Sequence, residues 1–544
     1  MTESAQQVWE REMREAGERP ERRARSPLLP VGVMVLVAAG FFALSLAQSL
    51  TRPWNSDTAS VALQGWDMVH GHLLLHGWWS SDVNFYTFDA PIYGLCALVL
   101  GLSGFSLHVA GALIYTLVFL AACWLAKGGA EGAVVRLRVA LVALFMTADL
   151  FSGGGLLQTI MIVPDHNGTI VFVFVAYVVY TRFAERRWAP WAMLALLMLG
   201  QLGDVTVRYV AVPAILFVWA VEHLRRWRLR TPETWLALAA IVSVPAATEL
   251  RSLMKAMGAY YLTKAHTDVA PLSQAGWHFT GMWQSLFGMF GVDVHNFPGG
   301  SVSRVGLTCV GGFALACGLL SLLRVLIRWT RVDDADRLLA VTVLVYLAAY
   351  EFSTVASPGD GGGYEFVGVV AMLAVLSARA AASLRPLRLP SFQRAGLTVA
   401  ALGAVATLLS GTALFRPTNP DPVEPVAAWL EQHGLTYGLA GYWNASPITV
   451  YTGGKVQVRP IYLKADGGFV PRAWGARAQW YDAKTNDARF VVAEQDPRGD
   501  MTKAQVEKAL GSPSAQYTVN GYSVLVYSYN LLTKGSAPGL PAGA

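Results

Sequence analysis

Twelve apolar runs, separated by short loops in which arginine collects, leave this chain few ways to fold. The first covers 29–50, and the others lie near 91–104, 107–126, 138–151, 168–181, 189–203, 205–222, 233–248, 305–327, 338–356, 364–381 and 396–414. A run of about twenty apolar residues matches the ~30 Å hydrocarbon layer of a bilayer. Of the 544 residues, 54% are hydrophobic and only 14% charged, and the mean hydropathy is +0.40. The chain is therefore expected to be an all-α polytopic membrane protein. Its net charge of +6 marks orientation and not nucleic acid, because Lys and Arg sit between the runs.

The basic clusters constrain the number of crossings. They are Lys127/Arg136/Arg138, Arg182/Arg186/Arg187, Arg225/Arg226/Arg228/Arg230, Arg324/Arg328/Arg331 and Arg385/Arg388/Arg394. If all share the cytosolic side with the Arg-rich segment 1–28, one early run fails to cross. The run 91–104 is the shortest, opens with Pro91 and carries Gly94, Gly101 and Gly104. It is read as a re-entrant or interfacial helix, leaving about eleven spans in the plasma membrane. The first run reads as an uncleaved signal anchor with a cytosolic N-terminus.

That choice puts Asp57, Asp67, Asp82, Asp89, Asp165, Asp204, Asp268, Asp293, Asp360 and Glu365 on the outer face. Ionisable groups at a membrane surface mark function by default, although solvated loop charge is the alternative for each. The domain plan is a cytosolic tail over 1–28 and a transmembrane region over 29–415. The latter has outer loops at 52–104 and 250–304. A Pro-rich linker follows over 416–425, then a small extracytoplasmic α/β domain over 426–532 and a disordered tail over 533–544. Within the small domain VEPVAAWLEQHG and MTKAQVEKALG read as helices. ITVYTG, KVQVRPIYL and RFVVAEQ read as strands, and QYTV–NG–YSVLVYSY as a hairpin. Cys96, Cys123, Cys309 and Cys317 all lie in apolar runs without metal-knuckle spacing and read as buried small hydrophobes.

Loop 54–91 concentrates acids, histidines and aromatics. Val61, Leu63, Trp66, Val69 and Leu73–Leu75 suggest a helix lying flat on the membrane. Asp57 is the first carboxylate after the first helix. It reads as a catalytic base, or, with Ser56, as the cap of a helix from Ala59. Asp165 and His166 precede a helix starting near Ile170 and suit a donor phosphate or a divalent metal such as Mg or Mn; a turn with a cap is the alternative. Asp204 and Arg208 read as an i,i+4 ion pair or, through the arginine, as a phosphate clamp. Tyr209 stands beside that arginine, and Lys264 is a further cation in the long outer loop.

These features resemble the GT-C glycosyltransferases: a first helix, an outer Asp, the stretch ALQGWDMVHGHLLLHGWW, and an acid after the third crossing. The likeness is to the family-39-like branch that includes protein O-mannosyltransferases and the lipid A aminoarabinose transferase. It covers about 30–415 in architecture. The resemblance implies an enzyme that moves a sugar from a polyprenyl-phosphate-linked donor to an extracytoplasmic glycan, lipid or protein. By position it puts Asp57 in the place of the catalytic acid and Asp165 in that of the second. The chain departs from the family in having a single Asp after the first helix, and Gly363-Tyr364-Glu365-Phe366 where an Arg-Tyr is usual. Arg208-Tyr209 is the expected substitute phosphate holder. A flippase for lipid-linked sugars, or a scaffold that keeps the fold without activity, is the rival expectation. The Ala/Gly-rich, Arg-over-Lys composition suits a bacterium.

Overall fold

A computed structural model describes residues 28–81, 83–151, 166–223, 230–263, 268–292, 302–354, 366–383, 421–495 and 501–536. Asp82, Asp165, Lys264, Asp293, Asp360, Glu365, the run 396–414 and residues 416–420 of the expected Pro-rich linker lie outside them. The chain divides into Met1–Phe41 and Phe42–Ala544, and the candidate site belongs entirely to the second unit.

Thirteen described helices precede the C-terminal region: α1 (Leu28–Ser49), α2 (Ser56–Val69), α3 (Asp89–Leu100), α4 (Gly104–Lys127), α5 (Ala133–Phe151), α6 (Asn167–Arg182), α7 (Ala189–Gly203), α8 (Thr206–His223), α9 (Pro232–Ala256), α10 (Ala275–Met289), α11 (Val302–Ile327), α12 (Asp334–Phe352) and α13 (Val367–Ser383). Four have segments long and apolar enough to cross a membrane: Gly32–Ser49, Gly104–Lys127, Thr206–His223 and Pro232–Ala256. Local chemistry sets their ends. Ser103 and Ser106 form a capping box at the start of α4, and Thr231 caps α9 ahead of Pro232.

The short run expected to stay at the surface is α3. Its 12 residues extend only about 18 Å at 1.5 Å per residue, too short for a ~30 Å core. It packs tightly against α2, where a Cβ added at Gly94 would lie 2.2 Å from the Gly65 carbonyl oxygen. Backbone cannot yield there as a flexible side chain would. Gly94→Val is accordingly expected to destabilise the protein by about 3 kcal/mol. Thermal unfolding in detergent checks this, and an unchanged melting temperature would refute the packing account.

Helix α2 is not the flat, one-faced helix that the sequence suggests. Ten of its residues are buried, because α3 covers one side and a C-terminal helix another. Leu73–Leu75 fall beyond its end. The cap is Asn55, whose side chain accepts from the Thr58 N–H, and the helix starts at Ser56. Neither Ser56 nor Asp57 is the cap.

The described loops tie the helices together at two ends of the bundle. At one end Arg379 donates to the Leu125 carbonyl and to Asp336, and Arg337 pairs with Glu222. At the other, Asn84 donates to the Leu202 carbonyl, Arg251 to the Gln201 carbonyl and the Tyr260 N–H to Leu74. Asp57, Asp67, Asp89 and Asp204 belong to this second end.

A three-stranded sheet joins that end to the C-terminal region. Strand β1 (Trp78–Ser81) runs parallel to β2 (Tyr261–Thr263) and antiparallel to β6 (Ala476–Arg477). Asp67 fastens the same junction, accepting from Trp78 Nε1 at 2.8 Å and pairing with Arg477 at 3.2 Å.

The C-terminal region is a six-stranded sheet in the order β5-β4-β3-β7-β9-β8. Its members are β3 (Tyr437–Ala440), β4 (Gln457–Leu463), β5 (Phe469–Pro471), β7 (Phe490–Glu494), β8 (Ala515–Val519) and β9 (Tyr522–Val526). Helices α14 (Glu424–Gln432), α15 (Tyr442–Tyr451) and α16 (Lys503–Leu510) pack on it. The NG pair makes the expected hairpin, with Asn520 at φ 46° and Gly521 at φ 81°, as a type I′ turn requires. ITVYTG, expected as a strand, is instead largely helical within α15. Strands β3 and β4 are parallel neighbours, and a parallel pair needs a crossover, usually a helix. Topology and burial outweigh the β-branched Ile448, Thr449 and Val450.

Candidate active site

Two carboxylate sites occupy the second end of the bundle. The first is Asp57, in the opening turn of α2. Because Asn55 serves as cap, Asp57 is free for other partners. The Tyr442 hydroxyl donates to one of its oxygens, and Asn55 Nδ2 lies 3.4 Å from the other. The Ser56 hydroxyl donates to the Tyr442 carbonyl, and Trp54 stacks on Tyr451 at 4.5 Å. The start of α15 is thereby seated on the start of α2. Burial raises the Asp57 pKa, while the Tyr442 hydrogen bond and the nearby Arg472 guanidinium work in the opposite direction. The Arg472 guanidinium lies over the Tyr442 ring, 4.0 Å from its centroid.

Tyr442 thus controls how readily Asp57 ionises. Tyr442→Phe removes a hydrogen bond that favours the anion, so the Asp57 pKa should rise further. A base works only when deprotonated. The acidic limb of the kcat/KM profile is therefore expected to move to higher pH, and an unmoved or lowered limb would contradict the assignment.

The second site joins three helix ends: Asp89 opens α3, His166 precedes α6, and Asp204 follows α7. His166 has a left-handed backbone, φ 54°, which turns its ring toward Asp204. Asp204 accepts from His166 Nδ1 at 2.6 Å, the Thr169 hydroxyl and the Thr206 N–H at 2.8 Å. Burial opposes its charge, but these partners more than offset that, and its pKa lies below the usual value. Asp89 is fully enclosed, with Oδ1 unpartnered among the described residues. Burial and the Asp204 charge push its pKa up to about 7. Two carboxylates set apart in this way can divide proton-holding and charge-holding roles. Both carboxylates line a small pocket with Phe85, Phe88 and Phe172.

Several expectations change. Asp204 and Arg208 do not form an ion pair. Arg208 turns away, donating to Thr248 Oγ1 at 3.0 Å and to the Val244 carbonyl, because Asp204 is already saturated. Tyr209 is 56% exposed. The helix after His166 begins at Asn167 and not near Ile170. Among the described residues no group of three or more His, Cys, Asp or Glu side chains could hold a metal ion, and His166 Nδ1 is engaged by Asp204. The expected Asp165–His166 metal pair has its first member outside the described residues. Asp89 was legible only as one outer acid among many. Tyr442 and Arg472 gave no local signal, since their partner is close to four hundred residues away.

Neither a family model nor a curated protein matches the chain. Among solved structures it is similar to ArnT from Cupriavidus metallidurans bound to undecaprenyl phosphate. That match has a TM-score of 0.54 at 15% identity and covers 93% of this chain and 99% of that one. The oligosaccharyltransferase of Archaeoglobus fulgidus in the apo form matches with a TM-score of 0.44 at 12% identity, over 87% of this chain and 71% of that one. The GT-C resemblance read from the sequence therefore holds at the level of the fold.

Proposed function

We propose that this GT-C-fold chain is an integral-membrane, inverting glycosyltransferase that moves a sugar from a polyprenyl-phosphate donor to an extracytoplasmic acceptor. The acceptor is a glycan, lipid or protein hydroxyl. The observation that carries the reading is Asp57, a half-buried carboxylate after α1 that accepts from the Tyr442 hydroxyl, with the Arg472 guanidinium stacked on that ring. The acceptor oxygen attacks the anomeric carbon and its proton passes to Asp57. The bond from that carbon to the phosphate oxygen breaks, and polyprenyl phosphate leaves with the electron pair. A positioned base of this kind contributes about 10²–10⁴-fold.

Asp204 and His166, with Asp89, are assigned donor-binding contacts at the second carboxylate site, apart from Asp57. Asp165 and Lys264, outside the described residues, are proposed as further donor-binding groups. The phosphate-holding role expected of Arg208 and Tyr209 is not retained, given where Arg208 points. The topology consistent with this chemistry has about eleven spans in a bacterial plasma membrane, with a cytosolic N-terminus and the α/β region outside. The ArnT structure with undecaprenyl phosphate supports the donor class as an analogy from fold. A test is to incubate purified protein with a labelled polyprenyl-phosphate sugar and envelope extract. Release of polyprenyl phosphate, matched one for one by product inverted at the anomeric centre, supports the proposal. Product that retains the donor's configuration refutes the inverting mechanism.

A further inference from the structure

The donor reading above leaves a gap in the site. As the glycosidic bond breaks, negative charge gathers on the departing phosphate, and a cation must meet it there. Arg208 and Arg251 keep an unpartnered Nε among the described residues, but their Nη2 atoms are tied to Thr248 of α9 and to the Gln201 carbonyl, and neither lies against Tyr442. The guanidinium stacked on Tyr442, whose hydroxyl bonds Asp57, comes from the far end of the sequence.

Arg472 follows β5 directly, and its backbone N–H donates to the Pro460 carbonyl of β4 at 3.1 Å. The guanidinium lies 4.0 Å from the Tyr442 ring centroid and 4.9 Å from that of Tyr462. Stacking holds its position through the ring faces while leaving the in-plane N–H groups available. Its Nε is shielded from solvent yet has no hydrogen-bond partner among the described residues. Arg459 makes an instructive contrast. It too is stacked, 3.9 Å from the Trp480 centroid, but its donors are taken by Tyr437 and Gln457. Arg477 is committed to Asp67. Arg472 has the fork, the fixed plane, the unspent donor and the place beside Asp57 that bidentate phosphate recognition needs.

We infer that Arg472 grips the phosphate of the polyprenyl-phosphate donor, so that the C-terminal α/β region completes the donor site. Tyr442 then links base and phosphate, touching Asp57 through its hydroxyl and Arg472 through its ring. The inference rests on the proposed donor class.

The test uses full-length protein in detergent and undecaprenyl phosphate as the probe. Arg472→Gln is expected to weaken binding by about 30-fold and to raise the KM for donor more than it lowers kcat. Arg472→Lys, which keeps the charge and loses the fork, is expected to fall between. An Arg472→Gln protein that binds within about twofold of wild type would overturn the inference. If that variant does not fold, an Arg472→Lys protein with wild-type affinity would overturn it instead. A purely structural pin between two rings predicts a lower melting temperature with unchanged affinity. Wild-type protein that fails to bind undecaprenyl phosphate would overturn the donor reading itself, a result separate from an indifferent Arg472.

Discussion

Asp57→Asn is expected to lower kcat/KM for sugar transfer by about 10²–10⁴-fold, or ~3–5.5 kcal/mol of transition-state stabilisation. The amide keeps the shape of the carboxylate and can still accept from Tyr442, but it cannot take a proton from the attacking hydroxyl. Stability should not fall with activity. Burial disfavours the Asp57 anion, so a neutral isostere removes a cost. The expected pattern is activity nearly abolished with a melting temperature unchanged or raised. A large loss of both would recast Asp57 as a structural residue that joins α2 to α15. Full activity would move the base to another acid, with Asp89 the first candidate.

The second large effect concerns stability and pH. Asp89 has its pKa pushed up to about 7 by burial and by the Asp204 charge. Below the unfolded-state value near 3.8 both states hold the proton, and the group costs nothing. Between that value and 7 the unfolded chain ionises while the folded one does not, so folding loses stability as pH rises; above 7 the loss is complete. Three pKa units correspond to on the order of 4 kcal/mol. Asp89→Asn lacks the penalty and can still accept from the Gly168 N–H. It is expected to be more stable than wild type at pH 8, with the difference shrinking toward pH 4. Melting temperatures across that range check the claim. A variant less stable at pH 8 would mean that Asp89 is held as an anion by a partner beyond the described residues.

These expectations depend on features with very different visibility in the sequence. The apolar runs disclosed the helical bundle, because it follows from desolvation and needs no tertiary information. The short length of α3 was legible for the same reason. Pairings were not. His166 meets Asp204 across 38 positions and Tyr442 meets Asp57 across 385, and no periodicity encodes either. Arg208 misled because i,i+4 spacing permits an ion pair but does not show that His166, Thr169 and the Thr206 N–H have already taken the carboxylate. ITVYTG misled for a related reason. Its β-branched residues favour a strand, and only the parallel register of β3 and β4 reveals that a helix must cross between them. Asn55 displaced Ser56 and Asp57 from the cap, a one- or two-residue shift that frees Asp57 for chemistry.

The most direct test of the central claim offers purified wild-type protein a panel of radiolabelled polyprenyl-phosphate sugars together with envelope acceptors. The account predicts that label leaves one of these donors for an acceptor as polyprenyl phosphate accumulates. If no donor is consumed, and the protein instead moves intact donor across sealed vesicles, the glycosyltransferase account is contradicted and a flippase takes its place.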